Sequence, residues 1–352
     1  MGGSSATALG STRDGGARAA TAGKLAVVFV LPAICVFVSL FCGRYALSLP
    51  EVCQALVSWI PGFEGAVSNE SATLVMQVRL PRALAAAAVG AALAASGAAF
   101  QGVFRNPLVN PGLLGVSNGA GFGAALAIVL VGGGAAVYPL AFAFGLVAVG
   151  ASYWIARVYR ATPAVMLILG GTIVSSVFSA LVSLMKYVAD ADTQLPSIVY
   201  WLMGSLSSVG WENFWSVAVM AAGCAVLVLF AWRIDVLSMG DKEARSLGLE
   251  VSRDKGIVIA AATFATAGAV CMAGVVGWVG LIVPHIGRML VGSNNRVLVP
   301  ASMAIGGAFL VVVDTCARCL WASEIPLGIL TALIGAPFFV YLLKKTKGGG
   351  WQ

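Results

Sequence analysis

The chain has 352 residues, 60% of them apolar and only 10% charged, with a formal net charge of +7. A soluble fold carries about 25% charged residues and leaves much of its surface wet, so this composition excludes a disordered chain, a disulfide-stapled secreted scaffold and an ordinary cytosolic enzyme. The apolar runs are long and rich in Ala, Gly, Leu and Val, without the alternation of a barrel, which leaves an all-α polytopic membrane protein.

Residues 1–23 hold Gly, Ala, Ser and Thr with Arg13, Asp14 and Arg18, and are expected to form a mobile tail. The apolar run over 25–42 is long for a signal peptide and reads as an uncleaved first span. Residues 43–73, with Pro50, Pro61, Glu51, Glu64 and Glu70, read as an external loop. Spans are expected at about 80–104 and 113–131, then one ending near Arg157 and Arg160, then one at 164–188. Residues 189–210 form a second external loop with room for one short helix. A sixth span covers about 214–232. The largest polar segment after the tail follows at 233–256. A seventh span covers about 257–276, and a broken eighth lies at 277–292 around Pro284, His285 and Arg288. The ninth and tenth lie at about 299–321 and 327–343, before Lys344, Lys345 and Lys347. The expected organisation is a single transmembrane domain over 24–345 and a tail over 346–352.

Ten spans put both termini on one side. With the termini inside, 16 of the 21 basic residues fall on inner segments, leaving Arg44, Arg79, Arg82, Lys186 and Arg318 outside. That bias accounts for the positive charge without a nucleic-acid partner. Gly90–Ala94 and Gly119–Gly123 have the small-xxx-small spacing that lets helix backbones approach.

Four segments stand out: RLPR at 79–82, RNPLVNPG at 105–112, GWVGLIVPHIGR at 277–288 and EIPLGILTALIGAPFF at 324–339. In this order and spacing, over about residues 25–345, the chain resembles the permease subunits of ABC importers for iron–siderophore complexes, haem and vitamin B12. The resemblance implies the type II ABC importer permease fold, with ten transmembrane helices in the cytoplasmic membrane. It also implies a homodimer, two cytoplasmic ATP-binding subunits that hold ATP and Mg, and an extracytoplasmic binding protein. The chain would need no cofactor of its own. An iron–siderophore is the first expected substrate, with haem or cobalamin as alternatives.

Site residues follow from the same resemblance. Arg79, Arg82 and Arg318 match arginines that face outward and pair with glutamates of the binding protein, a role suited to guanidinium forks. Asn106, Pro107 and Leu108 match a cytoplasmic gate loop, and Thr162 a second gate segment. Pro163 departs from the hydroxyl residue that some members carry there. Within 233–256, Asp241, Glu243, Arg245, Leu247 and Gly248 match the loop that docks on the ATPase, and 239–249 can form a short charged helix ended by Gly248.

Residue chemistry adds its own constraints. The one Gly-Lys pair, Gly23–Lys24, is followed by Leu25, so no phosphate loop of the G-x-x-x-x-G-K-[ST] type exists. No G-x-S-x-G or H-E-x-x-H motif is present. His285, the single His, is a poor basis for haem ligation. Asp314 and Arg318 sit four apart, the spacing of a local ion pair. A Cys316–Cys319 disulfide across an intact helix is geometrically poor. An ion-coupled secondary transporter is the rival class, and it would want a free acid near mid-membrane.

Overall fold

The computed structural model describes residues 23, 25–58, 69–157 and 164–345. The expected tails, apart from residue 23, and the candidate gate residue Thr162 lie outside the described residues. Within them the regular structure is helical, with no strand.

Helix α1 (Leu25–Ser39) precedes the short α2 (Leu49–Val57) and α3 (Asn69–Thr73). A six-residue π-turn, Leu74–Arg79, runs on into α4 (Leu80–Phe104). Next come α5 (Val116–Val131), α6 (Val137–Ala156), α7 (Ala164–Val188) and the short α8 (Gln194–Met203). After α9 (Trp215–Leu229) stand α10 (Ala231–Met239) and α11 (Asp241–Ser246). The described chain closes with α12 (Val251–Ala273), α13 (Val279–Val291), α14 (Asn295–Cys319) and α15 (Leu327–Lys345). Six helical stretches, those containing α4, α6, α7, α9, α12 and α14, are long and apolar enough to cross a membrane. Four shorter apolar helices, α1, α5, α13 and α15, bring the apolar set among the described residues to the expected ten.

Helix α4 is the axis of the bundle. Its 25 residues are mostly Ala and Gly and are buried on nearly every side, as a helix without a polar face must be. Small side chains bring neighbouring backbones into direct contact. A Cβ on Gly90 would lie 2.1 Å from the Gly306 carbonyl oxygen of α14, and one on Gly97 would lie 1.9 Å from that of Gly280 in α13.

Two helices begin inside the bundle. A Cβ on Gly280 would meet Pro111 at 2.5 Å and the Leu93 carbonyl at 2.9 Å. Segment 105–115 therefore turns back from the end of α4 to its middle, and α13 starts at the same depth. This is why α5 and α13 are only 16 and 13 residues long. Gly115, at φ +87°, makes the left-handed turn from the 3-10 turn Pro111–Leu114 into α5. At the start of α13 that region is held by Trp278, at φ +68°, a strained position for a side-chain-bearing residue. One end of the bundle carries α2 and α8, and the other carries α11.

Gly97→Val should lower the unfolding free energy of the purified chain by about 3 kcal/mol, because backbone occupies the space. Gly277→Ala, with nothing within 4 Å of the new methyl, should leave the melting temperature unchanged. Thermal unfolding in detergent measures both.

Candidate functional site: a clamp, a central cleft and a projecting helix

At the α8 end, Arg79, Arg82 and Arg318 are 4%, 6% and 8% exposed. All three are turned into the protein and engaged there. Arg79 Nη1 donates to the Leu40 carbonyl at 2.6 Å, and Nη2 donates to that of Tyr45. Arg82 Nη2 lies 2.9 Å from Asp314 Oδ1, and Nη1 lies 2.8 Å from Glu324 Oε1. Arg318 Nε is 3.3 Å from Asp314 Oδ2. A guanidinium inside an apolar bundle has to be paired, since desolvation of a lone charge costs several kcal/mol. The Asp314–Arg318 pair expected from the spacing is present. Asp314 also holds Arg82, 232 positions away in the chain, a contact that local spacing does not reveal.

Glu324 was not singled out from sequence; its position just before Pro326 and α15 was the available signal. Burial pushes its carboxyl up, but the hydrogen bond and charge of Arg82, with the charges of Arg318 and Arg44, outweigh this and hold it below the ordinary value. The neighbouring Cys316 and Cys319 are both free thiols.

At the opposite end a polar base supports α11. Lys255 Nζ donates to Asp241 at 2.7 Å, Arg233 pairs with Asp254, and Asp235 accepts from the Asn295 backbone N–H and side-chain amide, each at 2.7 Å. These contacts tie α11 to α12, α10 to α12, and α10 to α14. Of the five residues expected in ATPase coupling, Asp241 anchors the helix, whereas Glu243, Arg245, Leu247 and Gly248 are exposed. Leu247 is 54% exposed. Gly248, at φ +82°, reverses the chain so that Leu249 tucks back beneath α11.

Asn106, Pro107 and Leu108 follow directly on α4. Asn106 Oδ1 accepts the Leu108 N–H at 2.9 Å, and the Asn106 N–H closes onto the Gln101 carbonyl. The turn caps α4 and leaves Leu108 exposed. Behind it, buried Gln101 accepts from Arg288 and donates to the Gly280 and Leu281 carbonyls, joining α4 to α13.

A cleft of about 390 Å³ opens at the depth where α5 and α13 begin. Its polar lining is neutral: Asn110, Ser117, Asn118, Thr172, Ser175 and Thr266, with Trp278 beside them. The starts of α5 and α13 meet here, and neither carries a side-chain cap. Uncapped helix N-termini present N–H groups and partial positive charge. From Thr172 in the cleft, α7 carries an exposed hydroxyl stripe through Ser176, Ser179 and Ser183. Three of these donate to their own helix, Thr172 to Ile168, Ser176 to Thr172 and Ser183 to Ser179. The stripe repeats at helical spacing in the sequence and was legible there, but was not picked out among the other small residues.

The FecCD transport family matches residues 31–345. The chain belongs to that family. It is 42% identical over 332 residues to the molybdate import system permease protein MolB of Haemophilus influenzae, covering 93% of this chain and 96% of MolB. It is 44% identical over 287 residues to the cobalamin import system permease protein BtuC of Halobacterium salinarum, covering 80% and 76%. A solved metal-chelate type ABC transporter in an inward-facing conformation superposes with a TM-score of 0.80 at 39% identity, covering 91% of this chain and 98% of that one. The chain is thus a multi-pass membrane permease of the ABC importers with the type II fold, as expected from the motifs.

Asp314→Asn removes a carboxylate from Arg82 and from Arg318 together, and should cost about 3 kcal/mol of stability. Glu324→Gln should cost less, since that carboxylate is 29% exposed. It should also remove an acid-sensitive component. A depressed Glu pKa adds stability above about pH 4.3 that is lost as the pH falls through the folded value. Melting temperature followed from pH 7 to pH 3 should fall less steeply in Glu324→Gln than in the wild type.

Proposed function

We propose that two copies of this chain form one translocation pathway, driven by two ATP-binding subunits at the α11 end and fed by a substrate-binding protein at the α8 end. The observation that carries the reading is the exposed hydroxyl stripe of α7, continuous with the neutral cleft. Polar groups on a membrane-crossing helix belong on a wet path, and a second copy would close that path on its open side. The α11 end would face the cytoplasm, the side expected for both chain termini.

The geometry supports the following roles. Glu243, Arg245 and Leu247 make the contact with an ATPase, which binds ATP and Mg. Asp241, through Lys255, passes its movement to α12. Asn106–Leu108 gate the pathway, with Thr162 as a second element on the strength of the resemblance. Arg82 would dock the binding protein by exchanging Glu324 for an incoming carboxylate. Asp314 is committed to two arginines, which argues against a proton-coupled transporter.

The substrate we infer is an anionic metal-bearing solute. Two uncapped helix starts at a cleft lined by neutral side chains favour negative charge while avoiding the tight grip that would slow release. A ferric siderophore is the first reading. Molybdate is the second, favoured by the extent of the match to MolB; haem and cobalamin remain alternatives within the same mechanism.

Uptake of labelled ferric siderophores, molybdate, haem and cobalamin, each offered to a deletion strain and its complemented control, tests this. One of them should be lost on deletion and restored by the gene. Arg245→Glu with Leu247→Asp should reduce that uptake more than tenfold while the chain stays in the membrane. Uptake that persists without the partner ATPase would refute the pump.

A further inference from the structure

Away from the cleft, α6 and α12 enclose a groove of about 380 Å³ on the outside of the bundle. Its walls include Leu146, Gly150 and Tyr153 of α6 and Gly256, Ala260 and Phe264 of α12. Glycine makes it deep: a Cβ on Gly150 would meet nothing within 4 Å. Phe264 remains 44% exposed. At 1.5 Å per residue, the walls run for about 10–12 Å along the helices.

Both helices carry an arginine at one mouth of this groove. Along α6, Leu146, Gly150 and Tyr153 recur at helical spacing on one face, and the C-cap residue Arg157 continues the same row. On α12, Arg253, Gly256, Ala260 and Phe264 do the same. Arg157 and Arg253 are exposed and make no ion pair among the described residues. Trp154, 73% exposed beside Arg157, is the residue type found at the level of lipid headgroups.

We propose that this groove is a binding site for an anionic phospholipid. One acyl chain lies along Gly150, Ala260 and Phe264, and the phosphate sits between Arg157 and Arg253. The charge decides the occupant. A neutral lipid or an apolar helix gains nothing from two unpaired arginines, and a second copy seated symmetrically would bring the same two arginines against them. A bilayer phosphate neutralises both.

The test uses the full-length chain in detergent, titrated by native mass spectrometry with phosphatidylglycerol and with phosphatidylcholine of the same acyl chains. Each arginine is expected to contribute about fivefold, so phosphatidylglycerol should bind at least tenfold tighter. Arg157→Gln with Arg253→Gln should bring its affinity down to that of phosphatidylcholine. Gly150→Leu, which fills empty space, should weaken both lipids. A photo-crosslinker at Ala260 should label lipid. Equal binding of the two lipids by the wild type, an arginine double variant that binds like the wild type, or crosslinks from Ala260 to a second copy would overturn the proposal.

Discussion

The approach of backbone to backbone along α4 is the constraint on which the rest of the structure depends. Lipid tails are as apolar as leucine, so helices in a membrane gain little from apolar burial against each other and rely on packing. The glycines at 90 and 97 let α14 and α13 settle onto α4 with carbonyl oxygens where a side chain would otherwise stand. Because α13 is seated at the middle of α4 and not at its end, segment 105–115 meets it there, and α5 also begins inside the bundle. The cleft is the consequence of these two interrupted helices, and neutral side chains of α7 and α12, Thr172, Ser175 and Thr266, complete its lining.

Charge is handled differently at the two ends. At the α8 end, buried arginines pair with buried Asp314 and with the partly exposed Glu324, so Arg82, Asp314, Arg318 and Glu324 hold α4, α14 and the turn before α15 as a unit. At the α11 end, buried pairs form only the base, and the helix they support is left exposed. A clamp resists local motion, whereas a projecting helix on a paired base transmits it. That contrast fits the different roles proposed for the two ends.

The outer surface repeats the lesson on a smaller scale. Small residues permit close approach inside the bundle, at Gly90 and Gly97. On the outside, at Gly150 and Gly256, they leave a groove that the protein itself does not fill. Arginines at its mouth distinguish this groove from a simple defect in packing.

Much of this was open to a reading of residue order alone. The number and order of the apolar helices follow from hydrophobic length, which is a local property. The short helix near 239–249 follows from local charge and from Gly248. The family was legible in RLPR, RNPLVNPG and the segment around Pro284, and the Asp314–Arg318 pair in a spacing of four. What the tertiary structure alone decided is where the buried charges go. Arg79 and Arg82 stand three apart and suggest one shared outward face. The π-turn and the packing of α14 instead send Arg79 to the carbonyls of the α1–α2 connection and Arg82 to Asp314 and Glu324. Those partners lie far along the chain, and they are chosen by the cost of leaving a charge unpaired in an apolar interior, a cost that exists only once the bundle has closed around it.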